Sequence, residues 1–88
     1  MNSNIYYTTQ AVCVAHELTE DTIAEMVSWG IADPKGARPN KWIFSQNDFE
    51  RIGCATRFSE ELDINIPGAA LALELLDELN KVRRQIRY

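Results

Sequence analysis

Apolar residues recur at helical spacing in several stretches of the chain, separated by polar or Gly- and Pro-containing segments. Thr8 or Thr9 can cap a first short helix that closes near Leu18, and Thr19 can cap a second helix that ends at Trp29. Two short helices joined by a turn of about three residues form a helix-turn-helix shape. Gly30 follows directly, and glycine is the residue expected where the chain leaves a helix in a left-handed backbone conformation.

The segment 31–41 cannot continue a helix because it contains two prolines and a glycine. The triplet Trp42-Ile43-Phe44 on its far side is β-prone. We therefore expect a small two-stranded wing in which Ile31-Ala32 pairs with Trp42–Phe44.

Two further helices follow the wing. Ser45 and Asp48 have the spacing of a capping box at the start of the third helix. The fourth helix begins near Pro67, a residue suited to a first helical turn, and is expected to run to about Arg87. The predicted fold is mainly α in a single domain spanning 1–88, with a winged helix-turn-helix core at 8–65 and a long C-terminal helix at 66–88.

The apolar pattern changes along the fourth helix. Between 69 and 76 apolar residues cover most of the circumference, which predicts burial on several sides. The pattern then narrows to a coiled-coil-like seam with spacings of four, three and four residues, formed by Leu75, Leu79, Val82 and Ile86. We expect a second copy of the chain to cover this seam and form a homodimer. The alternative is that the seam packs back on the domain.

Charge argues against nucleic acid as the partner. The 88 residues carry a formal charge of −4, whereas phosphate contacts need a surplus of Lys and Arg. The opening turns of the second helix hold Glu20, Asp21 and Glu25, which a phosphate-lined groove would repel. A DNA-binding regulator would have to depend on the basic residues of the wing: Lys35, Arg38 and Lys41.

Motifs for catalysis, metal binding or membrane insertion are missing from the sequence. His16 is the single histidine, and Cys13 and Cys54 lie far apart, so a four-ligand structural zinc site cannot be assembled from them. The chain has no nucleophile elbow, phosphate loop, signal peptide or apolar run of about 20 residues. We expect a non-enzymatic protein of the cytoplasm, without cofactor, metal or membrane contact, whose thiols stay unpaired.

Acidic residues are concentrated in a stretch that has no base. From Phe58 to Asn80 there are six acids and no Lys or Arg, namely Glu60, Glu61, Asp63, Glu74, Asp77 and Glu78. Basic residues return from Lys81 onward. The stretch is either a solvated face or a docking surface for a basic partner, in which case charge would set the on-rate and the choice of partner.

The winged helix-turn-helix pattern resembles a known regulatory family. The residues that carry the resemblance are Tyr7-Thr8-Thr9, Trp29-Gly30-Ile31-Ala32-Asp33-Pro34, Trp42-Ile43-Phe44 and Asp48-Phe49-Glu50-Arg51-Ile52. Over residues 5–65 they look like the winged-helix domain of MerR-type regulators. This resemblance implies, as one reading, a dimeric DNA-binding transcriptional regulator.

A second resemblance spans nearly the whole chain, and the residues that make it specific lie in its later part. Arg57-Phe58 and the stretch 61–79, which begins its helix with Asn65-Ile66-Pro67-Gly68, resemble the CbpM family of chaperone modulators. That resemblance implies binding to the J-domain of the DnaJ-like co-chaperone CbpA and inhibition of its action with the Hsp70 chaperone DnaK. J-domains present a basic helix, so the six acids of the base-free stretch become candidate docking residues.

Overall fold

The computed structural model describes residues 5–86. Its elements follow in the order β1 (Tyr6–Thr8), α1 (Thr9–His16), α2 (Glu20–Ser28), a 3-10 turn (Pro39–Lys41), β2 (Ile43–Ser45), α3 (Gln46–Leu62) and α4 (Ile66–Gln85). The mainly α fold with a helix-turn-helix and a long last helix is confirmed. The predicted end of α4 at Arg87 lies outside the described residues.

Side-chain caps start the two helices of the helix-turn-helix as predicted. Thr8 caps α1, its hydroxyl accepting a hydrogen bond from the Ala11 N–H at 3.1 Å. Thr19 caps α2 in the same way, with the Thr22 N–H as donor at 3.1 Å. Each cap satisfies a backbone donor that the helix itself leaves free, so these starts are set locally.

Helix α2 ends in a Schellman motif. Gly30 has φ +81°, and its N–H donates to the Val27 carbonyl at 3.0 Å. The Ile31 N–H reaches back to the Met26 carbonyl, also at 3.0 Å. This turn reverses the chain and places Ile31 fully inside the core.

The predicted pairing of Ile31-Ala32 with Trp42–Phe44 is wrong. The partner of β2 is β1, which runs antiparallel to it with Tyr7 opposite Phe44. Ile31 and Ala32 are instead buried in the core, because the Schellman turn directs them inward. The loop between α2 and β2 contacts β2 at one bridge, where Lys35 and Ile43 exchange backbone hydrogen bonds of 3.1 and 2.8 Å.

One buried carboxylate joins the start of α3 to the loop that follows α2. The Asp48 N–H donates to the Ser45 hydroxyl at 3.1 Å, while Asp48 Oδ2 accepts from the Ser45 N–H, completing the predicted capping box. Asp48 Oδ1 also accepts from the Asp33 N–H at 3.1 Å. A local cap therefore becomes a tertiary tie, which explains why Asp48 is buried.

The core draws residues from all four helices and β2. Its buried apolar members are Val12, Ile23, Met26, Ile31, Ala32, Phe44, Ile52, Ala55, Ala69 and Leu73. Helix α4 contributes only Ala69 and Leu73 to this set. The prediction that the first half of α4 is buried on several sides is wrong, because the domain covers one side and leaves Leu71 and Leu76 exposed.

Candidate protein-interaction surface

Helix α4 is apolar on two opposite sides. Leu71 and the seam residue Leu75 each lie two positions from the buried Leu73, and two positions on an α-helix correspond to about 200° of rotation. The side opposite the core therefore carries the predicted seam, and Leu75, Leu79, Val82 and Ile86 are 60, 46, 48 and 65 % exposed. Packing of the seam back on the domain is ruled out within residues 5–86.

The six acidic candidates are all exposed but fall into two separate groups. The α3-end cluster consists of Glu60, Glu61 and Asp63, beside the turn between α3 and α4. The α4 cluster consists of Glu74, Asp77 and Glu78. Glu74 lies eight residues beyond the start of α4, or about 12 Å along its axis. The six acids therefore form two separate groups of three and not one continuous patch.

Members of the α4 cluster differ in their intramolecular partners. Asp77 forms an ion pair with Arg51 on α3, with 3.1 Å between Oδ2 and Nη1. Glu78 lies 3.7 Å from Lys81 in an exposed pair that contributes little. Glu74 has no ion pair within the described range of 5–86. Of the three carboxylates, Glu74 is the one without an ion-pair partner among residues 5–86.

Arg51 ties three segments together, a role that sequence reasoning missed. Its Nε donates to the carbonyl of Ile31 at 2.7 Å, while its Nη1 reaches Asp77 on α4. A single Arg on a helix carries no sequence signal for such partners, since they are 20 and 26 residues away.

A shallow groove lies between the end of α2 and one side of α4. It is lined by Trp29, Gly30, Arg51, Pro67, Ala70, Leu71, Glu74 and Asp77. Trp29 is the C-cap of α2 and is 53 % exposed. Sequence reasoning treated Trp29 only as a helix end, because tryptophan is on average well buried and gives no sequence sign of exposure.

The basic residues that DNA binding would need share their surroundings with acids. Lys35, Arg38 and Lys41 are all exposed. Arg38 lines one depression together with Glu20 and Asp21, the acidic opening of α2. Those carboxylates reduce the positive potential at the place where a helix-turn-helix protein would meet phosphates.

His16 and the two cysteines occupy structural positions. His16 Nε2 lies 3.1 Å from the Phe49 carbonyl oxygen, and its ring packs against that of Phe49 at 4.4 Å. Cys13 and Cys54 are both free and partly buried. Burial raises the pKa of the Cys13 thiol, and the Glu20 carboxylate raises it further. A thiol that holds its proton more tightly is a weaker nucleophile at neutral pH.

Neither a metal-binding cluster nor a membrane-spanning helix is present among residues 5–86. No group of three or more His, Cys, Asp or Glu side chains there could hold a metal ion. No helix among them has the length and apolar character that a membrane span requires.

Comparison with known proteins places the chain in a family. Residues 7–88 match the profile of the MerR HTH family regulatory proteins. The chain is also 36 % identical over 73 residues to the chaperone modulatory protein CbpM of Coxiella burnetii (strain Dugway 5J108-111), covering 83 % of this chain and 69 % of that protein. The chain belongs to the CbpM family of MerR-like proteins.

Other CbpM relatives agree. The CbpM protein of Pseudomonas entomophila is 32 % identical over 76 residues, and that of Pseudomonas putida (strain W619) is 33 % identical over the same length. Both alignments cover 86 % of this chain and 75 % of the relative. The resemblance drawn from the stretch 57–79 is thereby confirmed. Regulation and modulation, rather than catalysis, are what the family names describe, and this points to a non-enzyme.

Proposed function

We propose that the protein is a non-catalytic chaperone modulator of the cytoplasm, which binds the J-domain of a CbpA-type DnaJ-like co-chaperone and inhibits its action with Hsp70 (DnaK). The observation that carries the proposal is CbpM family membership combined with six exposed acids in a stretch without any base. J-domains present a basic helix beside their His-Pro-Asp loop, and Hsp70 meets that face with acidic residues. An acidic protein seated there would exclude Hsp70.

The charge distribution supports docking through electrostatic complementarity. Between 58 and 80 no Lys or Arg offsets the acids along the sequence, and Arg51 is the α3 cation that reaches one of them across the structure. Exposed charges act over about 10 Å at 0.1 M salt and less at higher salt. Binding through these acids should therefore weaken as ionic strength rises, mainly through a slower on-rate.

The direct test is J-domain-stimulated ATP hydrolysis by Hsp70. Adding the protein should lower the stimulated rate toward the basal rate, with saturation near one protein chain per J-domain. The basal rate of Hsp70 alone is the control and should not change. Absence of J-domain binding at about 50 mM salt, where surface charges are least screened, would refute the proposal.

We further propose a homodimer formed through the seam of α4. Four exposed large apolar side chains on one helix side, Leu75, Leu79, Val82 and Ile86, form a surface that soluble monomers seldom leave bare. Light scattering after size exclusion should give twice the chain mass of 10.0 kDa. Leu79→Glu should return the mass to that of one chain, whereas Val14→Glu on exposed α1 should not. A wild-type protein that stays at 10.0 kDa at high concentration would contradict the dimer.

The winged helix-turn-helix fold is also compatible with an alternative function, that of a DNA-binding regulator acting through Lys35, Arg38 and Lys41. We propose that nucleic acid is not the partner, because Glu20 and Asp21 lie beside Arg38. Titration with DNA from upstream of its own gene at about 50 mM salt should show no binding. Salt-dependent binding whose slope falls by about one for each of the three residues removed would favour the alternative.

A further inference from the structure

The groove beside Trp29 combines an exposed aromatic ring with one net negative charge, since Glu74 and Asp77 face the single cation Arg51. We propose that this groove receives a basic amphipathic helix of the partner protein, with an apolar side chain seated between Trp29 and Leu71 and a Lys or Arg at Glu74. The inference rests on the proposed function, in which that helix belongs to a J-domain. It goes further by assigning docking to the α4 cluster and not to the α3-end cluster.

The apolar part of the groove has the character of a binding anchor. Trp29 and Leu71 are 53 and 55 % exposed and line the same groove with Ala70 and Pro67. Tryptophan removes 150–250 Å² from water when fully buried, and it is enriched among residues that dominate binding energies. An apolar side chain inserted here would find contact on both walls.

The backbone that carries the Trp29 anchor is fixed before any partner binds. The Trp29 N–H donates to the carbonyls of Glu25 and Met26 at 3.1 and 3.2 Å, and the two residues after it close the Schellman motif. On the other wall, the Arg51–Asp77 ion pair fastens α4 to α3. A preformed site loses less conformational entropy on binding.

Charge on the groove selects a basic occupant. Pro67, Ala70, Glu74 and Asp77 follow one side of α4 at spacings of three, four and three residues, so both carboxylates face the groove that they line. The guanidinium of Arg51 also lines the groove, so the groove's two carboxylates and one cation leave one net negative charge. Arg51 is paired with Asp77, and Glu74 forms no ion pair within residues 5–86, so Glu74 is the carboxylate open to a cation of the partner. The required partner surface is an apolar residue next to a Lys or Arg, which is what one face of a basic amphipathic helix presents.

The first test is titration of a purified CbpA-type J-domain with full-length variants, read by fluorescence anisotropy. Trp29→Ala should raise Kd at least about tenfold at both 50 and 300 mM salt, because it removes an apolar anchor. Val14→Ala, at a 73 % exposed position on α1, is the matched control and should leave Kd unchanged. Far-UV circular dichroism of each variant checks that helix content is retained.

A pair of charge reversals separates the two acidic clusters. Glu74→Lys and Glu61→Lys change the net charge equally, so a difference between them reports local contact. Glu74→Lys should weaken binding at least about fivefold more than Glu61→Lys at 50 mM salt, and the gap should shrink at 300 mM. Equal effects, or a larger effect at Glu61, would overturn the assignment.

Tryptophan emission then identifies the occupant. In Trp42→Phe, Trp29 is the single tryptophan, and its emission should shift to the blue when a tryptophan-free J-domain is added. A blue shift on concentrating the protein alone would mean that a second copy fills the groove, which would overturn the inference. If wild-type protein binds the J-domain while Trp29→Ala binds equally well, the groove is wrong and the proposed function stands. If wild-type protein does not bind the J-domain, both the groove assignment and the proposed function are refuted.

Discussion

Arg51→Ala is expected to destabilise the fold far more than removal of its ion-pair partner. The side chain donates from Nε to the carbonyl of Ile31, a residue with no exposed surface, at 2.7 Å. Loss of a charged donor to such a group amounts to about 1.5–3 kcal/mol. The ion pair adds about 0.5–1 kcal/mol at most, because the Asp77 side chain is 58 % exposed and water screens it.

Equilibrium urea unfolding measures both quantities. With a slope of about 1 kcal/mol per M for a chain of this size, Arg51→Ala should lower the urea midpoint by about 2–4 M, since it removes both interactions. Asp77→Asn should lower it by about 0.5–1 M. The expected loss at Arg51 is a large part of the total, which is about 4–13 kcal/mol for a domain of 88 residues.

A third variant and a cycle make the comparison decisive. Lys81→Ala breaks the exposed pair with Glu78, which has 3.7 Å between its charged atoms, and should move the midpoint by less than about 0.5 M. The double variant Arg51→Ala/Asp77→Asn should give a coupling energy of about 0.5–1 kcal/mol. If Asp77→Asn proves as damaging as Arg51→Ala, the energy resides in the ion pair and the reasoning from Ile31 is refuted.

Three other predictions concern single positions. Ser59→Ala should raise the free energy of unfolding by about 1 kcal/mol in urea, because the buried hydroxyl has no partner within residues 5–86; Ser28→Ala, at an exposed and bonded hydroxyl, is the control and should change it little. Gly36→Ala should lower the urea midpoint clearly, since Gly36 has φ +130° and a Cβ would strike the carbonyl oxygen of Lys41; an unchanged midpoint would contradict this geometry. In Cys54→Ser, alkylation of Cys13 should need a higher pH than alkylation of free cysteine, because the folded state raises the thiol pKa. Since the native state then holds this proton more tightly than the unfolded chain, stability contributed by the thiol is present at neutral pH and is lost as pH rises through the folded pKa; identical pH profiles would disprove the shift.

The helix boundaries were predictable because their signals are local. Thr8, Thr19 and Ser45 each accept a hydrogen bond from a backbone N–H three residues ahead, so each partner can be identified from the neighbouring sequence. Gly30 identifies the end of α2 because its positive φ is permitted at little cost only to glycine. None of these inferences depends on where the rest of the chain goes.

Pairings between distant segments were not predictable in the same way. The sequence predicts Ile31-Ala32 as the partner of strand β2, but the partner is β1, whose central Tyr7 lies 37 positions before Phe44. Three-residue strands carry too little side-chain pattern to specify a register. Ile31 does not pair with β2 because the Schellman turn directs it into the core.

For the interaction surface, the sequence by itself determined the inventory: a base-free stretch of six acids, an apolar seam on the last helix and no concentration of positive charge where DNA would lie. Only the tertiary structure decided which of these features are available. It left the seam exposed, divided the acids into two clusters, paired Asp77 with Arg51 and placed Trp29 and Leu71 in one groove. The physical reason is that helix periodicity places a side chain on a face, whereas packing of α4 against α3 and the end of α2 decides which face is covered.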